Sequence, residues 1–190
     1  MTERPILFSA PMIRAIVECR KTQTRRVIKP QPHSHPTQVA CLVWETSQGQ
    51  FKSPYGQPGD KLWVKETFLP RLQNTAAIYR ADLNEPEASG IGALYGGWKP
   101  SIFMPRWASR ITLEVVSVKV ERVQEISEQA AASEGIQSIT PDWKKNPVGV
   151  FAVLWDAINA NRGFGWDNNP WVWTVEFKLI LLLDGLLRPL

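Results

Sequence analysis

A long run of alternating apolar residues, 110–123, constrains the fold of this chain more than any other feature. Apolar side chains occupy odd positions up to Val115 and even positions from Val116 onward. An alternation of period two indicates a strand, and a change of parity midway is what a β-bulge produces. Because bulges let a strand bend around a barrel, this run predicts a small, strongly curved sheet.

Shorter signals surround this run. Short strands are predicted at 5–8, 22–28, 61–68, 76–81 and 171–177. Pro11 suits the first turn of a helix that runs to about Arg20, Ser127 suits the N-cap of a short helix ending at Gly135, and a longer helix is predicted over 148–161. Many short strands with few helices predict an α+β fold, a small β-barrel with flanking helices.

Composition excludes several classes of protein. The two cysteines, Cys19 and Cys41, cannot build a disulfide framework, which favours a reducing compartment. The longest apolar run, 179–183, is far shorter than the ~18–20 residues that cross a membrane. No long apolar segment follows the charged residues at the N-terminus, so we expect no secretory signal. These features predict a cytoplasmic protein with no membrane partner.

Positive charge is concentrated near the N-terminus. The net charge is only +4, yet five basic residues and no acidic one lie between Arg20 and Lys29. Such a cluster creates a positive potential that attracts polyanions. The alternative is an ordinary solvated face of arginine and lysine.

The segment Ala15–Arg26 resembles the motif of ASCH domains, a group of PUA-like β-barrels linked to RNA. That motif reads Gly-x-Lys-x-x-Glu-x-Arg, and Lys21 and Arg26 match it. Cys19 stands where glycine is usual, and Thr24 stands where glutamate is usual. The second difference resembles the ASCH proteins that hydrolyse N4-acetylcytidine, whose motif has a threonine at this position.

The resemblance to those amidohydrolases implies a catalytic set of Lys21, Thr24 and Glu134. Three further segments, 58–68, 104–110 and 169–173, are similar to the ASCH proteins carried by phages and prophages. The resemblance therefore covers most of the chain and implies one ASCH domain over 1–190, with insertions at about 30–57 and 70–100. Within the family some members are amidohydrolases, one type is a ribonuclease, and others only bind RNA.

The chemistry implied for these three residues is coherent. A threonine hydroxyl needs a neighbouring base, and Lys21 can serve only if its pKa falls from about 10.4 toward neutrality. Burial and the charges of Arg20, Arg25 and Arg26 would both act in that direction. Glu134 lies at the end of a short helix, where the macrodipole disfavours a carboxylate, which suits a donor of a proton to a leaving amine.

Strand geometry adds a condition. Lys21 and Thr24 have opposite parity, so a regular strand would point them to opposite faces. Lys21 must therefore lie in the turn between helix and strand. We expect a partly exposed lysine there, whose replacement by alanine leaves the fold intact.

Candidate nucleic-acid contacts lie in two groups. The first is Arg20, Arg25 and Arg26 beside the catalytic set. In the second, Arg106 and Arg110 flank Trp107, where an aromatic face could stack on a base while arginine holds phosphate. Trp107 packed against the end of the barrel is the alternative. Other tryptophans, notably Trp155, Trp171 and Trp173, lie on periodic apolar faces and are expected in the core.

We expect no metal and no cofactor. The zinc-type side chains Cys19, His33, His35 and Cys41 do not have the spacing of a standard finger. Three functions remain: hydrolysis of an N4-acyl amide of cytidine, RNA binding without catalysis, and metal-independent RNA cleavage. A free nucleoside requires a closed pocket near Lys21, whereas RNA requires an open basic groove.

Overall fold

The structure is a computed structural model and describes residues 2–41, 43–70, 77–138 and 143–182. Within these ranges the α-helices are α1 (Ala10–Val17), α2 (Glu85–Leu94), α3 (Glu128–Ser133) and α4 (Pro147–Asn159). The strands are β1 (Glu3–Leu7), β2 (Gln23–Val27), β3 (Thr37–Ala40), β4 (Val43–Thr46), β5 (Gly49–Lys52), β6 (Lys61–Lys65), β7 (Phe68–Pro70), β8 (Ala77–Tyr79), β9 (Ile111–Arg122) and β10 (Trp171–Leu182).

The main sheet has five strands in the order β1-β6-β9-β10-β2. β1 and β6 are parallel, and the other neighbours are antiparallel. The register between β9 and β10 shifts where Glu176 faces Ser117 and Phe177 faces Val115, which leaves Val116 as the extra residue. Val115 is buried and Val116 is 48% exposed. The bulge expected from the change of parity is therefore confirmed.

The sheet does not close into a barrel among the described residues. β1 and β2 are its two edges, and no strand ladder joins them. A side chain crosses the gap instead, because the Arg26 guanidinium donates a hydrogen bond to the carbonyl of Leu7. The α+β class is confirmed, and the described strands form an open sheet in which the predicted closure into a barrel is not seen.

Helix α1 lies just before the motif segment and sets the path of the chain into it. Pro11 is in its first turn, and Ile13, Ala15 and Ile16 are buried. The helix ends at Val17, earlier than predicted, and Cys19 adopts a left-handed backbone conformation with φ 56°. This residue reverses the chain, and the turn then leads directly into β2.

Both expected insertions contain regular structure that the sequence analysis did not predict. Strands β3, β4 and β5 form a three-stranded antiparallel sheet, in which Trp44 is buried and packs edge-on against Trp173, with ring centroids 4.8 Å apart. Helix α2 occupies 85–94, and its N-cap Asn84 forms a capping box with Glu87. Ala76, at the start of a predicted strand, and the C-terminal residues 186–190 lie outside the described residues.

A second group of buried side chains joins α3 and α4 to the sheet. Phe151 and Trp155 of α4 pack with Val123, Ile136 and Val172. Trp155, Trp171 and Trp173 are each 4% exposed, which confirms their prediction as core residues. Across the described residues, no helix combines the length and apolar character needed to cross a membrane.

Candidate active site

Lys21 lies in the turn between α1 and β2, where the parity argument requires it. The backbone N–H groups of Arg20 and Lys21 both donate to the carbonyl of Ala15, at 2.8 and 2.9 Å, and this places the Lys21 side chain inward. That side chain has 0% exposure. The expectation of a partly exposed turn lysine is wrong, because α3 and its following turn cover it.

Three acceptors surround the Lys21 ammonium group. Nζ donates to the carbonyl of Gln23 at 2.8 Å, to the carbonyl of Glu134 at 2.9 Å and to Glu134 Oε2 at 2.7 Å. An ammonium group has three protons, so each one has a partner. A backbone bridge between Lys21 and Glu134 fixes the same two residues to each other.

Gly135 lets the two chain segments approach this closely. Its φ is +83°, and a Cβ built there would lie 3.0 Å from Ala15 Cβ and 3.1 Å from Lys21 Cβ. Only glycine fits such a position without strain. The glycine predicted to end α3 therefore also brings Glu134 against Lys21.

Glu134 is the C-cap residue of α3 and is buried, at 5% exposure. Its Oε2 contacts Lys21, and its Oε1 accepts from Arg25 Nη1 at 3.1 Å. Arg25 is itself held by Gln23 Oε1 at 2.8 Å and by Glu121 Oε1 at 2.6 Å. The Glu134 carboxylate is thus shared by two buried cations, Lys21 and Arg25, and Arg25 also pairs with a second carboxylate, that of Glu121.

The pKa of Lys21 is lowered from its ordinary value, chiefly because burial removes water from the ammonium form. The Glu134 carboxylate opposes this, and the charges of Arg26 and Arg25 add smaller decreases. The direction agrees with the sequence argument, but burial is the leading cause rather than the arginines. Arg20 does not contribute, because its guanidinium turns outward to the exposed Glu18.

Thr24 and Glu134 line the same cavity, which has a volume of about 260 Å³. Thr24 is 3% exposed and lies on β2, the edge strand. In the part of the chain that the structure describes, its hydroxyl has no hydrogen-bond partner, so it is available to a bound molecule. Lys21 does not reach the cavity and acts on it only through Glu134.

The rest of the cavity wall comes from α1, from β2 and the loop after it, from the loop before β6, and from α4 with the turn after it. The residues are Met12, Arg25, Arg26, Val27, Lys29, Tyr55, Phe151, Leu154, Trp155, Ile158, Asn159 and Arg162. A second cavity of about 480 Å³ adjoins it and shares Met12, Arg26, Glu134, Leu154 and Ile158. The second cavity is more apolar and includes Leu7 and Phe8. Glu134 therefore lies where a polar and an apolar cavity meet.

The other candidate nucleic-acid residues are not assembled at this site. Arg106 is exposed and pairs with Glu3, and Trp107 is 46% exposed on the same short turn. Arg110 is buried and ion-paired with both Glu66 and Asp82. These contacts hold the Arg110 side chain inside the protein, paired with two carboxylates, and its role as a phosphate contact stays a prediction.

Tyr55 and Arg162 are among the polar cavity residues that sequence reasoning missed. Tyr55 belongs to the 30–57 insertion, and burial raises the pKa of its hydroxyl. Arg162 ends the short 3₁₀ turn after α4. The apolar face of α4 could have indicated Arg162, because a helix that packs beside a site also places the residues at its end near that site. No pattern in the sequence indicated Tyr55.

No family model matches the chain, and no curated protein matches it in sequence. Among solved structures, a protein from Enterococcus faecalis V583 described by the family model DUF984 shares 10% identity with a TM-score of 0.45, over 100% of this chain and 86% of that one. An ASCH domain from Lactobacillus crispatus JV V101 shares 14% identity with a TM-score of 0.41, over 95% of this chain and 80% of that one. Neither likeness identifies an activity.

Proposed function

We propose that this protein is an ASCH-type amidohydrolase that cleaves the N4-acyl amide of acylated cytidine. The observation that carries the proposal is the buried ion pair of Lys21 and Glu134, 2.7 Å apart, with its carboxylate on the wall of a cavity that Thr24 also lines. A nucleophile, a proton acceptor and a proton donor are the groups that amide hydrolysis through a covalent intermediate requires.

Lys21 and Glu134 act as one acid–base unit in this mechanism. All three protons of the ammonium group are engaged, so Lys21 alone is a poor direct base for Thr24. Burial lowers the pKa of Lys21, which favours transfer of its proton to Glu134 Oε2, which lies 2.7 Å from Nζ. Interacting groups this close share their protons as a pair. Glu134, which faces the cavity, then exchanges protons with the substrate.

The reaction has two stages. In the first, Thr24 Oγ attacks the acyl carbon, the hydroxyl proton passes to the ion pair, and the C–N4 bond breaks as the pair returns a proton to the leaving N4. Cytidine is released, and the acyl group remains as an ester on Thr24. In the second stage, water attacks the ester, again giving a proton to the pair, and the carboxylic acid leaves as Thr24 recovers its hydroxyl proton.

The shape of the site favours a small substrate. A cavity of about 260 Å³ lies near the lower end of the ~300–1,000 Å³ range for ligand pockets. Its aromatic wall includes Phe151 and Trp155, and flat apolar side chains accept a base. The small volume of this cavity supports a nucleoside over a long RNA strand.

The test is to incubate purified protein with N4-acetylcytidine and to measure the release of cytidine by chromatography. Thr24→Ser, which keeps the hydroxyl, should retain measurable turnover. Thr24→Val, which keeps the shape, should reduce it by about a thousandfold or more. Thr22→Val is the matched control, because Thr22 is exposed and lies two residues earlier in the same segment, and it should leave turnover unchanged. Absence of cytidine release by the wild-type protein would refute the proposal.

RNA binding without catalysis is the second candidate, and the cations on the cavity wall favour it. It predicts micromolar or tighter affinity for RNA that falls steeply with salt concentration. Ribonuclease activity is the third candidate, in which these cations stabilise the transition state at phosphorus. Prolonged incubation with RNA, with and without divalent ions, separates the two, because a ribonuclease cleaves the RNA and a binding module leaves it intact.

A further inference from the structure

The cavity beside Glu134 has an excess of positive charge that the hydrolytic mechanism does not use. Besides the ion-paired Arg25, three cations line it: Arg26 on β2, Lys29 in the loop after β2, and Arg162 after α4. Among the described residues that line it, Glu134 is the single carboxylate, and it is already paired with Lys21 and Arg25. A negative ligand would therefore find unneutralised charge there.

Arg26 is the most informative of the three cations. Its Nε is buried and has no hydrogen-bond partner, and its terminal nitrogen bonds only to the carbonyl of Leu7. No carboxylate of the described residues lies within 4 Å of its guanidinium. Burial lowers the pKa of Arg26 most, the charges of Tyr55 and Glu134 oppose this decrease, and the charge of Arg162 adds a smaller decrease. A partly buried cation without a counterion is costly, and an anion in the cavity would relieve that cost.

Lys29 and Arg162 are exposed, and neither forms an ion pair with a described residue. The ammonium group of Lys29 lies over the ring of Phe164, 4.9 Å from its centroid, which keeps the charge beside the cavity. Two free, exposed cations next to a buried one match a group with several anionic oxygens, such as a phosphate, better than they match a single carboxylate.

We propose that Arg26, Lys29 and Arg162 form a subsite for a phosphate monoester, so that the substrate is an N4-acylated cytidine nucleotide rather than the free nucleoside. The cytidine part of this statement rests on the proposed function, whereas the phosphate part rests on the three cations alone. A phosphate monoester carries nearly two negative charges at pH 7. It would supply the counterion that Arg26 lacks.

The test measures binding, which requires no turnover. Isothermal titration calorimetry at low salt compares cytidine 5′-monophosphate, cytidine and inorganic phosphate, with cytidine 3′-monophosphate as a further arm. The monophosphate should bind at least about tenfold more tightly than cytidine, the factor that one charge-assisted hydrogen bond contributes. Inorganic phosphate should compete with it. The Lys29→Gln/Arg162→Gln double variant should lose this advantage, so that it binds the monophosphate and cytidine about equally well.

The same titrations, carried out on a control variant and with other ligands, can also refute the phosphate subsite. Lys119→Gln/Arg80→Gln removes two exposed cations away from both cavities and should keep the full advantage of the monophosphate. Equal affinities for monophosphate and cytidine, or an advantage that the Lys29/Arg162 variant retains, would overturn the subsite. Binding of an oligoribonucleotide without any binding of the monophosphates would also overturn it. Phosphate-dependent binding without hydrolysis of N4-acetylcytidine would support the subsite and refute the proposed activity.

Discussion

Replacing Lys21 by methionine tests how far the buried ion pair supports the fold. Methionine keeps most of the volume and removes the charge, which leaves Glu134 buried with only Arg25 Nη1, 3.1 Å from Oε1. Removing one partner of a buried ion pair costs about 3–5 kcal/mol. The remaining arginine contact places the expected loss near the lower value, about 3 kcal/mol. A domain with a free energy of unfolding of about 5–15 kcal/mol stays folded.

The same variant gives a pH dependence with a definite sign. The pKa of Lys21 is lower in the folded protein than in the unfolded chain, so between these two values the unfolded chain binds more protons. Stability of the wild type relative to Lys21→Met must therefore rise with pH up to about 10.4, at no more than about 1.4 kcal/mol per pH unit. The raised pKa of Tyr55 is common to both proteins and cancels in the comparison.

Urea denaturation followed by tryptophan fluorescence, from pH 7 to the alkaline range, measures both effects. Lys119→Met is the control, because the Lys119 side chain is 64% exposed, and its free energy of unfolding should change by no more than about 0.5 kcal/mol. A Lys21→Met protein as stable as the control, or a difference from wild type that does not change with pH, would refute this reasoning.

Two further variants test the packing around the site and the role of Arg110. Gly135→Ala should lose more stability than Gly163→Ala, because both glycines have positive φ but only Gly135 has side chains within 4 Å of an added Cβ; equal urea midpoints would contradict this. Arg110→Met should destabilise by about 3–5 kcal/mol by removing a cation that pairs with the buried Glu66, whereas Arg106→Met, which breaks an exposed pair, should cost about 1 kcal/mol or less. Weaker RNA binding by Arg110→Met with unchanged stability would instead support a role as a nucleic-acid contact.

The sequence predicted those parts of the fold that local patterns determine. The change of parity at Val116 predicted the bulge in β9, because alternation reports which face each side chain occupies. Ser127 and Gly135 predicted the ends of α3 through cap geometry. Helix α2 was missed although Asn84 and Glu87 have the spacing of a capping box, because glycines and prolines around them favoured a loop.

The sequence predicted which residues form the candidate site but not how deeply they are buried or which side chains they contact. Lys21 and Glu134 are 113 positions apart, so no local pattern shows that each buries the other. The basic residues from Arg20 to Lys29 form one cluster in sequence, but the turn at Cys19 and the alternation of β2 distribute them among different surroundings. Arg20 is partly exposed and pairs with Glu18, Arg25 lies in a buried network and Arg26 lines the cavity.

The most direct measurement of the central claim is the turnover of N4-acetylcytidine by Glu134→Gln. Glutamine keeps the size of the side chain but cannot carry protons between Thr24 and the leaving amine. We predict that kcat falls by about 10²–10⁴-fold, while the exposed control Glu128→Gln matches the wild type and both variants keep the native near-ultraviolet circular dichroism. A folded Glu134→Gln protein with turnover close to wild type would mean that the buried carboxylate only holds β2 and α3 together.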